Sequence, residues 1–413
     1  MGQGRAVQGA GRRGNSSDRG TRASAGEQPA RREAGGSPDA SDPMVRLLAP
    51  DGTRIDNPDY PLELSDDDLR GLLRDLTLVR RIDAEAVALQ RQGELGLWPS
   101  LLGQEGAQIG AGRALRAQDM VFPSYREHGV AWCRAIDPLD IASLFRGNDL
   151  AGGWDPAAHG FNLYTLVVGS QSLHSVGYAM GVQRDGAVGS GDPATDTAVL
   201  SFFGDGATSQ GDVNEAFVWA ASAALPVVFF VQNNQWAISV PVRKQSRIPL
   251  YRRAAGFGFP GIQVDGNDVL ACLAVTAKAL DEARAGQGPT LIEAVTYRMG
   301  AHTTSDDPTR YRTSDEDAHW AALDPIARLR AHLDQLGLLD EAWLAGLDAE
   351  ADALARRLRE DVRALPALDP LSAFDNVYAE PSAELLRQRQ EMEQFLASFE
   401  DDWGPSAIEE AHR

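Results

Sequence analysis

Between residues 66 and 92 apolar side chains return at helical spacing (Leu69, Leu72, Leu73, Leu76, Leu78, Val79, Ile82, Val87, Leu89), which predicts a long amphipathic helix opening the ordered part of the chain. The rhythm then changes. Short apolar runs at 198–203, 226–231, 261–264 and 290–295 alternate with helical stretches at 212–224 and 269–285. Runs that are apolar throughout suit strands buried on both faces, and strand, helix, strand in sequence implies parallel pairing. The expected fold class is therefore α/β, a parallel sheet with helices on both faces and a helical C-terminal part. From Glu316 onward the pattern is helical and strongly charged, at 321–336, 340–365 and 383–399, and reads as a solvated outer layer.

Residues 1–43 are rich in Gly, Ser, Ala and Arg and nearly devoid of large apolar side chains. Such a segment buries too little surface to offset the entropy of ordering, so a disordered N-terminal extension is expected at 1–43. Glu27, Glu33, Asp39 and Asp42 count against a transit peptide, and Met44 is an alternative start. One domain is expected over 44–400, with a flexible tail at 401–413.

Composition removes several classes of function. The 413 residues carry 39 Lys plus Arg against 59 Asp plus Glu, a formal charge of −20 that repels nucleic acid and anionic lipid. No apolar run approaches the roughly 20 residues a membrane-spanning helix needs. Cys133 and Cys272 are too few for a disulfide framework, which fits a reducing cytoplasm. Lysine occurs only at Lys244 and Lys278, so positive charge is nearly all arginine, the residue of fixed, forked contacts to phosphate and carboxylate.

Ligands of parallel sheets bind beyond the carboxyl ends of the strands, and there the chain places Gly204-Asp205-Gly206-Ala207 and, 29 positions after Asp205, Asn234 in Asn233-Asn234-Gln235-Trp236. The first stretch is not a Walker loop and lacks the third glycine of a dinucleotide fingerprint. Asp205 and Asn234 leave successive strands, and a carboxylate, an amide oxygen and a backbone carbonyl are the hard donors that Mg²⁺ takes together with phosphate oxygens. The pattern reads as a Mg²⁺-diphosphate site.

These residues resemble the thiamine-diphosphate motif, and their surroundings resemble the E1 alpha subunit of 2-oxoacid dehydrogenase complexes, from about Leu62 to the C-terminal helix. The resemblance implies a transketolase-like, thiamine-diphosphate-binding fold. It also implies thiamine diphosphate and Mg²⁺ as cofactors, an α2β2 heterotetramer with an E1 beta subunit, and a lipoyl-bearing E2 acyltransferase that accepts the acyl group of a small 2-oxoacid. The glutamate that activates the cofactor would then come from the beta subunit.

Residue by residue, the resemblance makes Asp205 and Asn234 the metal ligands, with the Trp236 carbonyl. Tyr125, Arg126 and Arg298 become diphosphate contacts, Gly204, Gly206 and Ala207 part of the cofactor loop, and Val168 part of the stretch that holds the aminopyrimidine. His302 matches the active-site histidine, expected to titrate near neutrality and to serve acyl transfer, with Tyr311-Arg312 ordering its loop. His128 is a second candidate for the pocket, Thr303 takes the position where some relatives carry a phosphorylated serine, and the other histidines read as structural.

Substrate choice is less legible. The apolar stretch Leu97-Trp98-Pro99-Ser100-Leu101-Leu102 leans toward a branched-chain 2-oxoacid of the 3-methyl-2-oxobutanoate type, whereas His128 leans toward pyruvate; acetoin remains an alternative. A non-catalytic scaffold of the same fold and a nucleotide-binding protein using residues 204–211 are the readings from other classes.

Overall fold

The fold is described by a computed structural model covering residues 44–148 and 152–399. The expectations for 1–43 and 401–413 lie outside the described residues. Seven strands follow one another as β1 (Met120–Phe122), β2 (Val199–Gly204), β3 (Val227–Asn233), β4 (Trp236–Ala237), β5 (Val240–Pro241), β6 (Gly261–Asp265) and β7 (Thr290–Val295). Five of them form one sheet in the order β1-β2-β3-β7-β6, parallel at every pairing. β4 and β5 make a small antiparallel ribbon just after β3.

Side chains alternate between two cores. Val199 and Phe203 of β2, with Val227, Phe229 and Val231 of β3, face the helices Ser170–Arg184 and Gly211–Ala223. Leu200, Phe202, Val228 and Phe230 point the other way, into a larger core with the helices Asp66–Arg91, Glu105–Arg113 and Val269–Arg284. Every residue of β3 is buried, as a central parallel strand requires. The runs read from sequence match four strands to within two residues at either end, but β1 was not anticipated. It has three residues, and a run that short carries no period.

The first helix runs Asp66–Arg91, opened by a capping box between Ser65 and Asp68. The helical pattern read from Glu316 through 321–336 is two helices, Ser314–Ala321 and Pro325–Gln335, because Asp324 caps a new start with proline in its first turn. The helix Glu341–Ala364 is an outer layer with an apolar underside: Leu347, Ala351, Ala355, Leu358 and Val362 are buried. Its polar flank pairs with the first helix through Arg81–Asp352 at 3.0 Å and Arg359–Glu85 at 2.6 Å.

At the amino edge of the sheet the buried Asp119 accepts from Ala198 N at 3.0 Å and pairs with the buried Arg284 at the end of the helix Val269–Arg284. This pair ties the starts of β1 and β2 to that helix. Removing one member of a buried pair strands the other charge, at a cost of about 3–5 kcal/mol. Arg284→Met is expected to lower stability by that order, read as an earlier midpoint in urea unfolding.

Candidate active site

Because the strands are parallel, their carboxyl ends open on one edge, and four neighbouring strands deliver the chemistry there. Tyr125 and Arg126 follow β1, Asp205 follows β2, Asn234 follows β3, and Arg298 with His302 follows β7. These residues line one cavity of about 260 Å³ together with Val168, Gly204, Gly206, Ala207 and Trp236. Of the residues expected at the site, His128 alone lies elsewhere.

The two arginines are buried yet bonded to no carboxylate. Arg126 donates to Ser100 O at 2.6 Å and to His302 O at 2.8 Å. Arg298 donates to Trp236 O at 3.1 Å, to Ile238 O at 2.8 Å and to the Tyr311 hydroxyl at 2.8 Å. Carbonyl dipoles solvate these guanidinium groups without cancelling their charge, so the cavity wall stays electropositive toward an anion.

The loop after β3 is held under strain. Gln235 and Ile238 have φ of 73° and 55°, and a β-branched residue in that region is a backbone outlier. The turn carries the Trp236 and Ile238 carbonyls to Arg298. A Cβ at Gly206 would meet Ala237 Cβ at 2.7 Å, so the loop after β2 needs glycine to approach this close.

Asp205 is 1% exposed and its one side-chain partner is Gln245 Nε2 at 3.0 Å. Burial raises its carboxyl to about 6, against the lowering effect of Gln245 and the more distant Arg298. A carboxylate so poorly compensated suits a cation.

His302 departs from expectation. Burial, then Arg126 and Arg298, pull its imidazole down to about 4, although Asp306 opposes them. The ring is therefore neutral at pH 7 rather than titrating near neutrality. Its backbone is fixed by His302 N donating to Asp306 Oδ2 at 2.8 Å, and Asp306 in turn accepts from the Tyr311 hydroxyl. Arg312 Nη2 donates to Met299 O at 3.0 Å, closing the same loop. The Thr303 hydroxyl meets Ser305 Oγ at 3.0 Å, and its carbonyl accepts from Asp306 N at 3.0 Å.

His128 is buried behind the cavity wall. It stacks on Trp98 with centroids 4.3 Å apart, meets Pro99 O through Nε2 at 3.1 Å and the Tyr164 hydroxyl through Nδ1 at 2.7 Å. Burial drives it down to about 3. Both ring nitrogens are engaged by these partners, and His128, the second candidate, is not among the residues that line the cavity. Trp98 and Leu101 are likewise core residues and report on packing behind the site, whereas Leu97 of the same apolar stretch is exposed.

Several wall residues escaped the sequence reading: Gln104, Glu127, Gln171, Gln232 and Ile238. Glu127 is buried, with its carboxyl raised by burial, and accepts from Ser124 Oγ at 2.9 Å and Gln232 Nε2. Gln171 and Gln232 lie inside a helix and a strand, where an amide carries no signal of its own. Gln104 and Glu127 each stand directly before a helix, a position that could have drawn notice.

The match to known proteins is broad. Residues 74–369 fit the family model "Dehydrogenase E1 component", and the chain belongs to that family, whose fold binds thiamine diphosphate. Within it the chain is an alpha subunit. It is 46% identical over 354 residues to the 3-methyl-2-oxobutanoate dehydrogenase subunit alpha of Mycobacterium tuberculosis, covering 86% of this chain and 94% of the relative. It is 35% identical to the pyruvate dehydrogenase E1 component subunit alpha of Staphylococcus epidermidis, covering 84% and 91%. For its Staphylococcus aureus counterpart the figures are 37% identity, 78% and 83%. Among the described residues no helix is long and apolar enough to cross a membrane.

In the ligand-free protein the His302 ring is expected to stay neutral as pH falls through 6.5 and to take its proton near pH 4, read from imidazole NMR shifts assigned with His302→Gln. A midpoint near 6.5 would contradict the electrostatics described.

Proposed function

We propose that this chain is the alpha half of an α2β2 2-oxoacid dehydrogenase that uses thiamine diphosphate and Mg²⁺ to decarboxylate a branched-chain 2-oxoacid of the 3-methyl-2-oxobutanoate type and passes the acyl group to a lipoyl-bearing E2 acyltransferase. The observation that carries this reading is the convergence of Asp205, Asn234, Arg126 and Arg298 on one cavity. The donor set fits the cofactor. Asp205 is buried with the neutral Gln245 amide bonded to it and no Arg or Lys, the two arginines lack carboxylate partners, and the wall contains the unpartnered buried atoms Gln104 Nε2 and Gln171 Oε1.

In this reading Asp205, Asn234 and the Trp236 carbonyl hold Mg²⁺. Trp236 O already accepts from Arg298, but a carbonyl has two lone pairs, and the second is available. Tyr125, Arg126 and Arg298 hold the diphosphate, and the backbone at Val168, Gly204, Gly206 and Ala207 shapes the rest of the cavity. When bound, the cofactor supplies the electron sink for decarboxylation. His302 is neutral and turned toward Arg126 and Tyr125; because Arg126 Nη2 can only donate, Nδ1 faces it as the acceptor, and the ring carries its proton on Nε2, from where it can be presented to a substrate oxygen. The Tyr311–Asp306 pair keeps its backbone in place during that exchange.

The higher identity to the branched-chain relative supports the substrate assignment. A difference of one or two methylenes is worth about 1–3 kcal/mol, or roughly 10–200-fold in kcat/KM. The complex of this chain with its beta subunit is expected to prefer 3-methyl-2-oxobutanoate over pyruvate by at least about tenfold on that scale. Equal or reversed preference would move the assignment to pyruvate. Asp205→Ala is expected to abolish Mg²⁺-dependent thiamine diphosphate binding by calorimetry, and unchanged binding would overturn the metal assignment.

The beta subunit has a surface to cover. Leu166 and Val167 are 62% and 72% exposed beside the cavity residue Val168, and Val218 and Trp219 stand out from the helix Gly211–Ala223. On the neighbouring helix Gly177 and Gly181 have open space where a Cβ would be. An apolar face with glycines lets another subunit's backbone come close, next to the cavity it would complete. Trp219→Glu is expected to leave the alpha chain folded but shift the heterotetramer toward free subunits in size-exclusion chromatography with light scattering.

A further inference from the structure

Gln104 occupies the turn ahead of the helix Glu105–Arg113, fully buried and on the cavity wall. Its backbone is fixed from several sides. Gly103 N donates to Glu105 Oε2 at 2.9 Å, Thr296 Oγ1 donates to Gly103 O at 2.6 Å, and Gln104 N donates to Leu101 O at 2.8 Å. Gly103 has φ of 92°, and a Cβ there would lie 2.3 Å from Tyr297 O, so the turn is pressed against the segment that follows β7.

The side chain meets Asn234, and the network leaves one way to assign the amide atoms. Trp236 N is a backbone donor, so the Asn234 atom it meets at 3.3 Å is Oδ1. The other Asn234 atom is then Nδ2, a donor, and the Gln104 atom 3.1 Å from it is the acceptor Oε1. That leaves Gln104 Nε2, a donor buried with no partner in the protein. Leaving a buried donor unsatisfied is costly, and Gln104, unlike Thr276 or Arg328, lines the cavity, where a bound group can supply the acceptor.

We propose that Gln104 is a positioning residue for the cofactor's metal end: it locks the Asn234 amide so that Oδ1 is presented to the cation, while its own Nε2 donates to an oxygen of the bound diphosphate. This rests on the function proposed above and deepens it. Without Gln104 the Asn234 amide loses the acceptor that fixes Nδ2, and a rotation would offer the cation an NH₂ group in place of an oxygen. A water would then take the vacated coordination position.

The experiment uses the complex of this chain with its beta subunit, stripped of cofactor, with Mn²⁺ as the spectroscopic probe for Mg²⁺ and thiamine diphosphate added. For Gln104→Leu we expect Mn²⁺ affinity to fall by ~10–100-fold, as is usual when a partner of a metal ligand is lost. Electron-nuclear double resonance in ¹⁷O-enriched water should count one more water on Mn²⁺, a change that a purely structural defect would not produce. Thermal unfolding of the cofactor-free complex should be unaltered; should Gln104→Leu fail to assemble, Gln104→Met keeps the length of the side chain without its amide and answers the same question. Affinity within about twofold of the unsubstituted complex, or an unchanged water count, would overturn the role of Gln104 alone. Failure of the unsubstituted complex to bind Mn²⁺ and thiamine diphosphate would overturn the proposed function and this inference with it.

Discussion

Positive charge buried without a carboxylate partner is the constraint on which the site depends. Arg126 and Arg298 are taken out of water by the packing of four strand ends, and each is solvated by carbonyl oxygens from loops remote in sequence. Isolated burial of a guanidinium group would be prohibitive, and oriented dipoles make it tolerable. The loops must therefore be rigid. Ile238 accepts a strained conformation to deliver its carbonyl, and Arg312 braces the chain at 298–300 by donating to its carbonyls.

Support extends a layer deeper. Ser100, whose carbonyl receives Arg126, belongs to a turn anchored on the buried Asp83, which accepts from Trp98 Nε1 at 2.8 Å, Leu101 N at 2.9 Å and Ser100 Oγ at 2.5 Å. Asp83 lies on the first helix, so the long amphipathic element at the start of the domain reaches the cavity through one carboxylate. His128 belongs to the same layer, where its stacking on Trp98 makes it a structural partner of the turn.

The electrostatics of the cavity wall follow from the same burial. One set of walls raises Asp205 and lowers His302, because desolvation disfavours whichever form is charged. A dication beside Asp205 and an anion between the arginines would reverse both pressures.

The sequence by itself determined the class of fold, four of the five strands of the main sheet and the positions where chemistry would gather. Fully apolar runs separated by amphipathic helices admit few architectures, and Asp205 and Asn234 had to meet once their strands were adjacent and parallel. Sequence could not tell that β1 exists, since three residues are recognisable as a strand only by what they pair with. It also could not place His128, because a histidine two positions after a cavity arginine looks the same whether it faces the cavity or a tryptophan. The burial of His302 beside Arg126 and the contact of Gln104 with Asn234 appear only in the tertiary structure. Both join segments 176 and 130 residues apart, and burial, which sets the energy of a charge or an amide, is a property of the packed chain.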